Sequence, residues 1–478
     1  MLGDMAWWLY LVGWLVLSGW ASAHALMYKR DPRSTTIWLL VSFTFPIVGP
    51  WLYWRFGINR IERRKLHRLS RRAHGLPPPD FVLDPKHERQ RDEAVGHLTN
   101  LRRVADRVTR MPLLPGNTVV PLHNGEQAYP RMLEAIAGAE RSVTLASYVF
   151  DWDVVGQDFT GALAAAADRG VRVHVLVDGI GGMGHFSRMG RRLLKSKAAL
   201  ASFFPLRFPL GRIRLNLRNH RKTLAVDGRI GFTGGMNISA RHLVERDDRK
   251  SCVDLHFEVT GPVVAELQHV FVEDWALATG EVLSGDAFFP KLPETGTAHC
   301  RGIASGPDQD FENIQWILLA AFASAKDSVR IMTPYFVPTA PLVSAMATAA
   351  LRGVKIKLVL PSVVNHRFMR WAADAYLGEV LEWGIKVYRQ PPPFVHTKLL
   401  IVDDRWVLLG SANLDPRSFR LNFEFNIEAY DTDIAGTLSA FFDKCVRKAA
   451  TVTSKEMDAR PHWRKLRDGV VKLASPYL

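Results

Sequence analysis

Two stretches of the chain carry the same five residues at the same spacing. The first runs from His220 through Lys222 and Asp227 to Gly234 and Asn237, and the second from His396 through Lys398 and Asp403 to Gly410 and Asn413. The copies lie 176 residues apart, and both keep offsets of 2, 7, 14 and 17 from the histidine. An imidazole, an ammonium and an amide suit a phosphate ester: the cation and the amide can hold its oxygens, and the imidazole can attack phosphorus or move a proton. Two sets supply one histidine for each of those jobs. A lone His-x-Lys is an ordinary strand residue beside a solvated charge, but two copies in register are not explained that way.

The elements that position these residues follow from the intervening pattern. Apolar runs from Thr223 to Val226 and from Arg229 to Thr233 flank Asp227-Gly228, which predicts a β-hairpin with a tight turn. His220 and Lys222, two apart on a strand, then share a face. A two-residue turn sets His220 opposite Gly235, and the same turn at Asp403-Asp404 sets His396 opposite Ser411. Asp227 and Asp403 fall in the turns, a position that accounts for them without chemistry.

The doubled pattern resembles the phospholipase D superfamily. Arg218 to Lys222, Phe232 to Ile238 and Gly410 to Phe419 resemble bacterial cardiolipin synthases in particular, and the resemblance covers nearly the whole chain. Gly235 departs from the superfamily's usual serine, which the second copy has as Ser411. The resemblance implies an α/β fold of mixed sheets flanked by helices, with two duplicated halves sharing one active site behind an N-terminal transmembrane helical hairpin. It carries over a catalytic set of His220, Lys222, Asp227, His396, Lys398 and Asp403, supported by Asn237, Asn413 and Ser411. Two acids stand on the apolar strands after each motif, Asp254 and Glu424. A carboxylate there can orient an imidazole, although periodicity alone would make both solvated strand residues. By resemblance Asp254 pairs with His220 and Glu424 with His396. The implied activity moves a phosphatidyl group between two phosphatidylglycerol molecules through a phosphatidyl-histidine, giving cardiolipin and glycerol with no cofactor and no metal. The alternatives are a hydrolytic phospholipase D, a nuclease of the same superfamily and a scaffold without catalysis.

Charge narrows the partner. Of a net +15 over 478 residues, the eighteen from Arg55 to Arg72 hold eight basic residues and one acid, Glu62, next to an apolar segment. That placement favours anionic membrane lipid over nucleic acid. Three scattered cysteines exclude a disulfide framework or a metal knuckle and suit a reducing compartment.

Residues Met5 to Met27 are apolar apart from His24, and a second apolar run extends from Thr35 to Trp54, broken by Pro46, Gly49 and Pro50. A cleaved signal peptide competes because of Ala21-Ser22-Ala23, but the start has no basic residue. Two spans within residues 1–60 predict a multi-pass protein of the bacterial inner membrane, and the basic cluster beyond them places the bulk in the cytoplasm. Residues 61–112 are expected to be a basic linker, 113–287 the first half, 288–450 the second and 451–478 a basic amphipathic tail. The duplication shows again where Ser328 to Ile331 echoes Ser142 to Leu145 and Arg352-Gly353-Val354 echoes Arg169-Gly170-Val171. Basic and aromatic residues interleave in Phe186 to Arg214, His366 to Tyr376 and Pro461 to Leu478, a composition that fits a lipid interface and equally a solvated helical face.

Overall fold

The structure, a computed structural model, describes residues 2–29, 32–58, 88–109, 111–181, 188–205, 217–246, 250–307 and 310–475. The chain divides into two compact units, Met1–Glu62 and Arg63–Leu478. In the first, helix Leu2–Tyr28 contains a stretch, Met5–Tyr28, long and apolar enough to cross a bilayer. The second apolar run is not one helix. Helix Pro32–Thr44 stops, and the chain resumes as Val48–Leu52 and a π-helical turn, Tyr53–Gly57. Pro46 has no N–H to continue the ladder, and Ile47 adopts a positive φ of 65°. The arms nevertheless pack: the Ser18 hydroxyl donates to the Ser42 carbonyl at 2.6 Å. Residues 59–72 of the basic cluster, and Pro77 to Pro79, lie outside the described residues.

The second unit is built on strands β1 (Leu114–His123), β2 (Ser142–Ser147), β3 (Arg172–Asp178), β4 (Ala199–Phe203), β5 (Thr223–Val226), β6 (Ile230–Gly234), β7 (Cys252–Val253), β8 (Leu255–Thr260) and β9 (Ala298–Ser305). It continues with β10 (Ser328–Met332), β11 (Lys355–Pro361), β12 (Lys386–Gln390), β13 (Phe394–Val395), β14 (Leu399–Val402), β15 (Trp406–Gly410), β16 (Glu424–Tyr430) and β17 (Ala450–Val452). Fifteen of these form one sheet. Outward from the antiparallel pair β1–β9 the first half runs β1-β8-β6-β5-β2-β3-β4 and the second repeats it as β9-β16-β15-β14-β10-β11-β12, with β17 at the rim. The duplication is therefore one of topology as well as motif.

Alternation along the strands makes three layers. On β5, Leu224 and Val226 enter a core with helices Asn124–Ala137 and Val154–Asp168, while Ala225 enters another. On β14, Leu400 and Val402 pack with helices Asn313–Ser324 and Ala340–Leu351, whereas Leu399 and Ile401 join Ala225. That last core crosses the midline beneath helices Val264–Thr279 and Thr432–Lys448, so the halves cannot separate without exposing it.

Part of the expected linker is core. Helix Thr99–Thr109 buries Leu101 and Ala105 in the second half, together with Leu98. Its Arg102 pairs with Asp106, whose carboxylate meets Arg301 at 2.5 Å, and Arg301 in turn meets Glu428 at 3.3 Å. The apolar residues recur at helical spacing but stand among charges, which is why composition made the segment look solvated.

The motif hairpins form around the expected turns, but their register is shifted. Asp227 and Gly228 have φ of 53° and 62°, and the Arg229 N–H donates to the Val226 carbonyl. Pairing resumes one residue late, with Val226 across from Ile230, because Arg229 is an extra unpaired residue. Arg405 does the same in the second hairpin, where Val402 faces Trp406. The expected oppositions of His220 to Gly235 and His396 to Ser411 therefore fail.

Asp227 and Asp403 are structural. Asp227 accepts from the N–H groups of Glu140, Arg141 and Ser142, and Asp403 from those of Lys326, Asp327 and Ser328, with His97 at 2.7 Å. Burial works to raise the Asp403 pKa, but the three backbone donors and His97 outweigh it and hold it below the ordinary value. A depressed carboxylate contributes stability that is present above its unfolded pKa and lost as pH falls through the folded one. Asp403→Ala should lower unfolding stability by about 1–3 kcal/mol at neutral pH and narrow its difference from the parent protein in acid. Denaturant melts across pH check this, and an undiminished difference at low pH would contradict it.

Candidate active site

Each histidine is held by the acid of the other half. The backbone just before His220 crosses the midline to pair with the chain just before Glu424: the His220 N–H donates to the Phe423 carbonyl at 2.9 Å and the Phe423 N–H to the Arg218 carbonyl at 2.8 Å. The other motif mirrors this, with β13 parallel to β7 and the His396 N–H on the Val253 carbonyl at 2.8 Å. These ladders place His220 Nδ1 2.9 Å from Glu424 Oε2 and His396 Nδ1 2.8 Å from Asp254 Oδ2. The expected pairing of Asp254 with His220 and Glu424 with His396 is thus reversed. The pairs expected by resemblance lay within each half, whereas the bridging strands exchange them.

The lysines follow their histidines. Lys222 Nζ donates to the His220 carbonyl at 2.6 Å and Lys398 Nζ to the His396 carbonyl at 2.5 Å. Burial brings Lys222 down to about 7 and Lys398 to about 8. Burial, followed by Lys222, Lys398 and Arg417, also lowers His220 well below its ordinary value, and burial with Lys398 takes His396 to about 4. Each histidine feels both lysines, so the two motifs form one site.

With Nδ1–H committed to a carboxylate, the neutral ring keeps its lone pair on Nε2, the atom available for attack or proton transfer. Both asparagines lie beside the histidines' hairpins but differ in their bonds. Asn237 Oδ1 accepts from the Val149 N–H at 3.1 Å, while Asn413 Oδ1 is buried without a hydrogen-bond partner among the described residues.

The two acids are held differently. Glu424 accepts from the Ser411 hydroxyl at 2.6 Å and the Asn422 amide at 3.2 Å; burial raises it to about 7 against the pull of Lys222 and these donors. Ser411 therefore supports the acid of His220 and does not face His396. Gly235 takes the matching place beside Asp254, where a Cβ would lie 2.4 Å from both carboxylate oxygens. For Asp254, burial's upward push is outweighed by His396 and Lys398, which hold it below the usual carboxylate range.

Several site residues escaped the sequence reading. Arg221, fully buried inside the first motif, donates from Nε to the Glu424 carbonyl at 3.0 Å and meets Asp274 at 2.7 Å, tying the halves together. The Tyr148 ring stands 5.1 Å from that of His220 and 5.5 Å from Lys222 Nζ. His242 accepts from the Asn237 N–H at 3.3 Å, as Ser418 does from Asn413 at 3.2 Å, and its ring lies 6.3 Å from that of His396. Extending the shared register five residues past each asparagine would have found that last pair.

Two His-Lys sets facing each other across a duplicated sheet define a phospholipase D-like protein. A family profile described as cardiolipin synthase, PLD-like domain, matches residues 132–275 and 318–446, and one described as phospholipase D-nuclease N-terminal matches residues 16–57. The cardiolipin synthase of Geobacillus kaustophilus is 32% identical over 94% of this chain and 90% of its own length. The major cardiolipin synthase of Bacillus subtilis is 31% identical over 94% and 95%. The phosphatidylserine synthase of Haemophilus influenzae shares the fold, with a TM-score of 0.62 at 16% identity over 79% of this chain and 100% of that one. The chain belongs to the cardiolipin synthase family of the phospholipase D superfamily.

Two outcomes follow from this geometry. Glu424→Gln should lower kcat about 10²–10⁴-fold and shift the His220 ring resonances, which Asp254→Asn should leave in place while shifting those of His396. Nitrogen-detected NMR checks the crossing, and it fails if each variant disturbs the histidine of its own half. The depressed lysines should give kcat/KM an alkaline limb, because the ammonium groups are lost as pH rises through about 7 and 8. A profile flat to well above that range would show that the lysines stay charged.

Proposed function

We propose that the protein makes cardiolipin by transferring a phosphatidyl group between two phosphatidylglycerol molecules. What carries the proposal is the pair of crossed His–carboxylate dyads in a chain of this family. His220 Nε2 attacks phosphorus, the bond to the glycerol headgroup oxygen breaks, and His396 gives that oxygen its Nε2 proton. The hydroxyl of a second phosphatidylglycerol then gives its proton to His396 and attacks phosphorus, and the phosphorus–nitrogen bond breaks to free His220. Lys222, Lys398, Asn237 and Asn413 stabilise the charge that builds on the phosphoryl oxygens. Asp227 and Asp403 take no step in this sequence.

The division of labour rests on the unlike acids. Asp254, held in its ionised form, favours an imidazolium on His396 once a phosphodiester anion enters and offsets the pressure of the lysines. Glu424, raised and shared among hydroxyl and amide donors, favours a neutral, nucleophilic His220. The apolar stretch Met5–Tyr28 and the second, broken arm anchor the enzyme as a multi-pass protein of the bacterial inner membrane, and the excess of basic residues after them assigns the catalytic body to the cytoplasm.

Labelled phosphatidylglycerol supplied to the purified protein in vesicles should yield cardiolipin and glycerol in equal amounts. Phosphatidic acid as the dominant product would replace the transferase with a hydrolase. With a substrate whose leaving group needs no protonation, His396→Ala should accumulate a phosphatidyl adduct on the His220 peptide, visible by mass spectrometry, while His220→Ala should form none. An adduct on His396 in the His220→Ala protein would exchange the two roles.

A further inference from the structure

The helix His462–Leu473 presents its apolar side outward. Trp463, Leu466, Val470 and Leu473, three, four and three apart, form one stripe and are 60, 71, 59 and 68% exposed. The opposite side does the packing. Asp468 is buried and paired with Arg460 and Arg467, the Arg467 guanidinium stands 4.3 Å from the Trp371 ring centre, and Lys472 Nζ stands 4.1 Å from that of Tyr376. Trp371 and Tyr376 belong to helix Arg367–Glu382, so the two helices run side by side, with Phe368 60% exposed at the near end. No described residue covers the stripe.

Charge selects the occupant. The helix carries Arg464, Lys465, Arg467 and Lys472 against one acid, Asp468, in a chain of net +15. A second copy would bring like charges face to face, whereas an anionic lipid surface meets the basic flanks with opposite charge and the stripe with acyl chains. The location fits a lipid reaction. Just before the second helix, Asn365 accepts the Tyr335 hydroxyl and the His366 ring lies 6.2 Å from that of Tyr335. Tyr335 is 6.3 Å from Phe394, and Phe394 is 5.8 Å from the catalytic His396, ring to ring.

We propose that the exposed face of His462–Leu473, with Phe368, is the surface by which the catalytic body lies on an anionic phospholipid leaflet next to its site. Only the relevance to substrate entry rests on the transferase reading; the surface itself rests on exposure and charge.

The test uses the full-length protein, whose three native cysteines are buried. Leu466→Cys and Val470→Cys are spin-labelled, with Thr437→Cys on the exposed side of helix Thr432–Lys448 as the reference. Each is reconstituted in vesicles of phosphatidylglycerol and phosphatidylcholine, or of phosphatidylcholine alone. Power saturation against oxygen and a water-soluble nickel chelate reads depth. Labels at 466 and 470 should be several-fold more accessible to oxygen than to nickel in the anionic vesicles and shift back toward water in the neutral ones, while the label at 437 stays aqueous in both. Labels at 466 and 470 that remain aqueous in anionic vesicles would overturn the proposal, and equal insertion in neutral vesicles would overturn its electrostatic basis. Lipid-independent spin–spin broadening would assign the stripe to a second copy and also overturn it. Depth needs no turnover. Cardiolipin formation without insertion therefore sinks the surface alone, and insertion without cardiolipin formation supports the surface while sinking the transferase reading.

Discussion

Everything in the catalytic body depends on the exchange of carboxylates across the midline. An imidazole buried beside two ammonium groups cannot serve as acid or base unless a negative charge holds one of its nitrogens, and here that charge always comes from the opposite half. Neither half owns a complete dyad. The shared core under the sheet and the buried Arg221, bonded to the Glu424 backbone, are what keep the exchanged partners in register. Removing the histidine from such a pair leaves a buried carboxylate short of a hydrogen-bond donor, which costs about 1–3 kcal/mol. Assembly of the two halves and assembly of the site are thus one event.

Burial also explains why the site needs so many cations. The lysines and histidines are lowered chiefly because burial strips water from their charged forms, and repulsion from neighbouring lysines adds to this at both histidines and at Lys222. That repulsion is relieved by an anion entering between them. A phosphodiester therefore brings the charge that restores the ammonium clamps and permits an imidazolium, so substrate binding and activation of the acid are coupled through the same Coulomb term.

The chemistry was legible in the sequence because hairpins keep polar residues at fixed offsets: the register of His220, Lys222, Gly234 and Asn237 repeated in the second copy could be read without coordinates. The turn chemistry was legible for the same reason, since Asp227-Gly228 does adopt the left-handed pair such turns require. What failed were features set by other parts of the chain. Arg229 and Arg405 each drop out of the ladder, and nothing local distinguishes an unpaired arginine from a paired one. The acid pairing expected by resemblance failed because the strands that bridge the halves bring together residues 204 apart, His220 and Glu424, and no local pattern shows that exchange. Helix Thr99–Thr109 was hidden by its own charges, which turn out to be the buried ion pairs that seat it.

Duplication made two equal sites available, and the structure uses the small differences between them. Where Ser411 hydrogen-bonds Glu424, Gly235 lies too close to Asp254 for any side chain, and among the described residues no hydroxyl donates to Asp254. Where Ser418 receives the Asn413 N–H, His242 receives that of Asn237 and adds a buried ring near His396 that burial keeps neutral, at about 4. A carboxylate with fewer donors interacts more strongly with its imidazole, so the Asp254 side stabilises a positive ring more than the Glu424 side does. A two-step transfer needs that inequality: one histidine must be neutral to attack while the other is charged to protonate. In a perfectly symmetric site the two protonation patterns would be equally stable and half the molecules would start with the roles exchanged. On the transfer proposed above, the difference at 235 favours the proton on His396 and leaves His220 as the nucleophile.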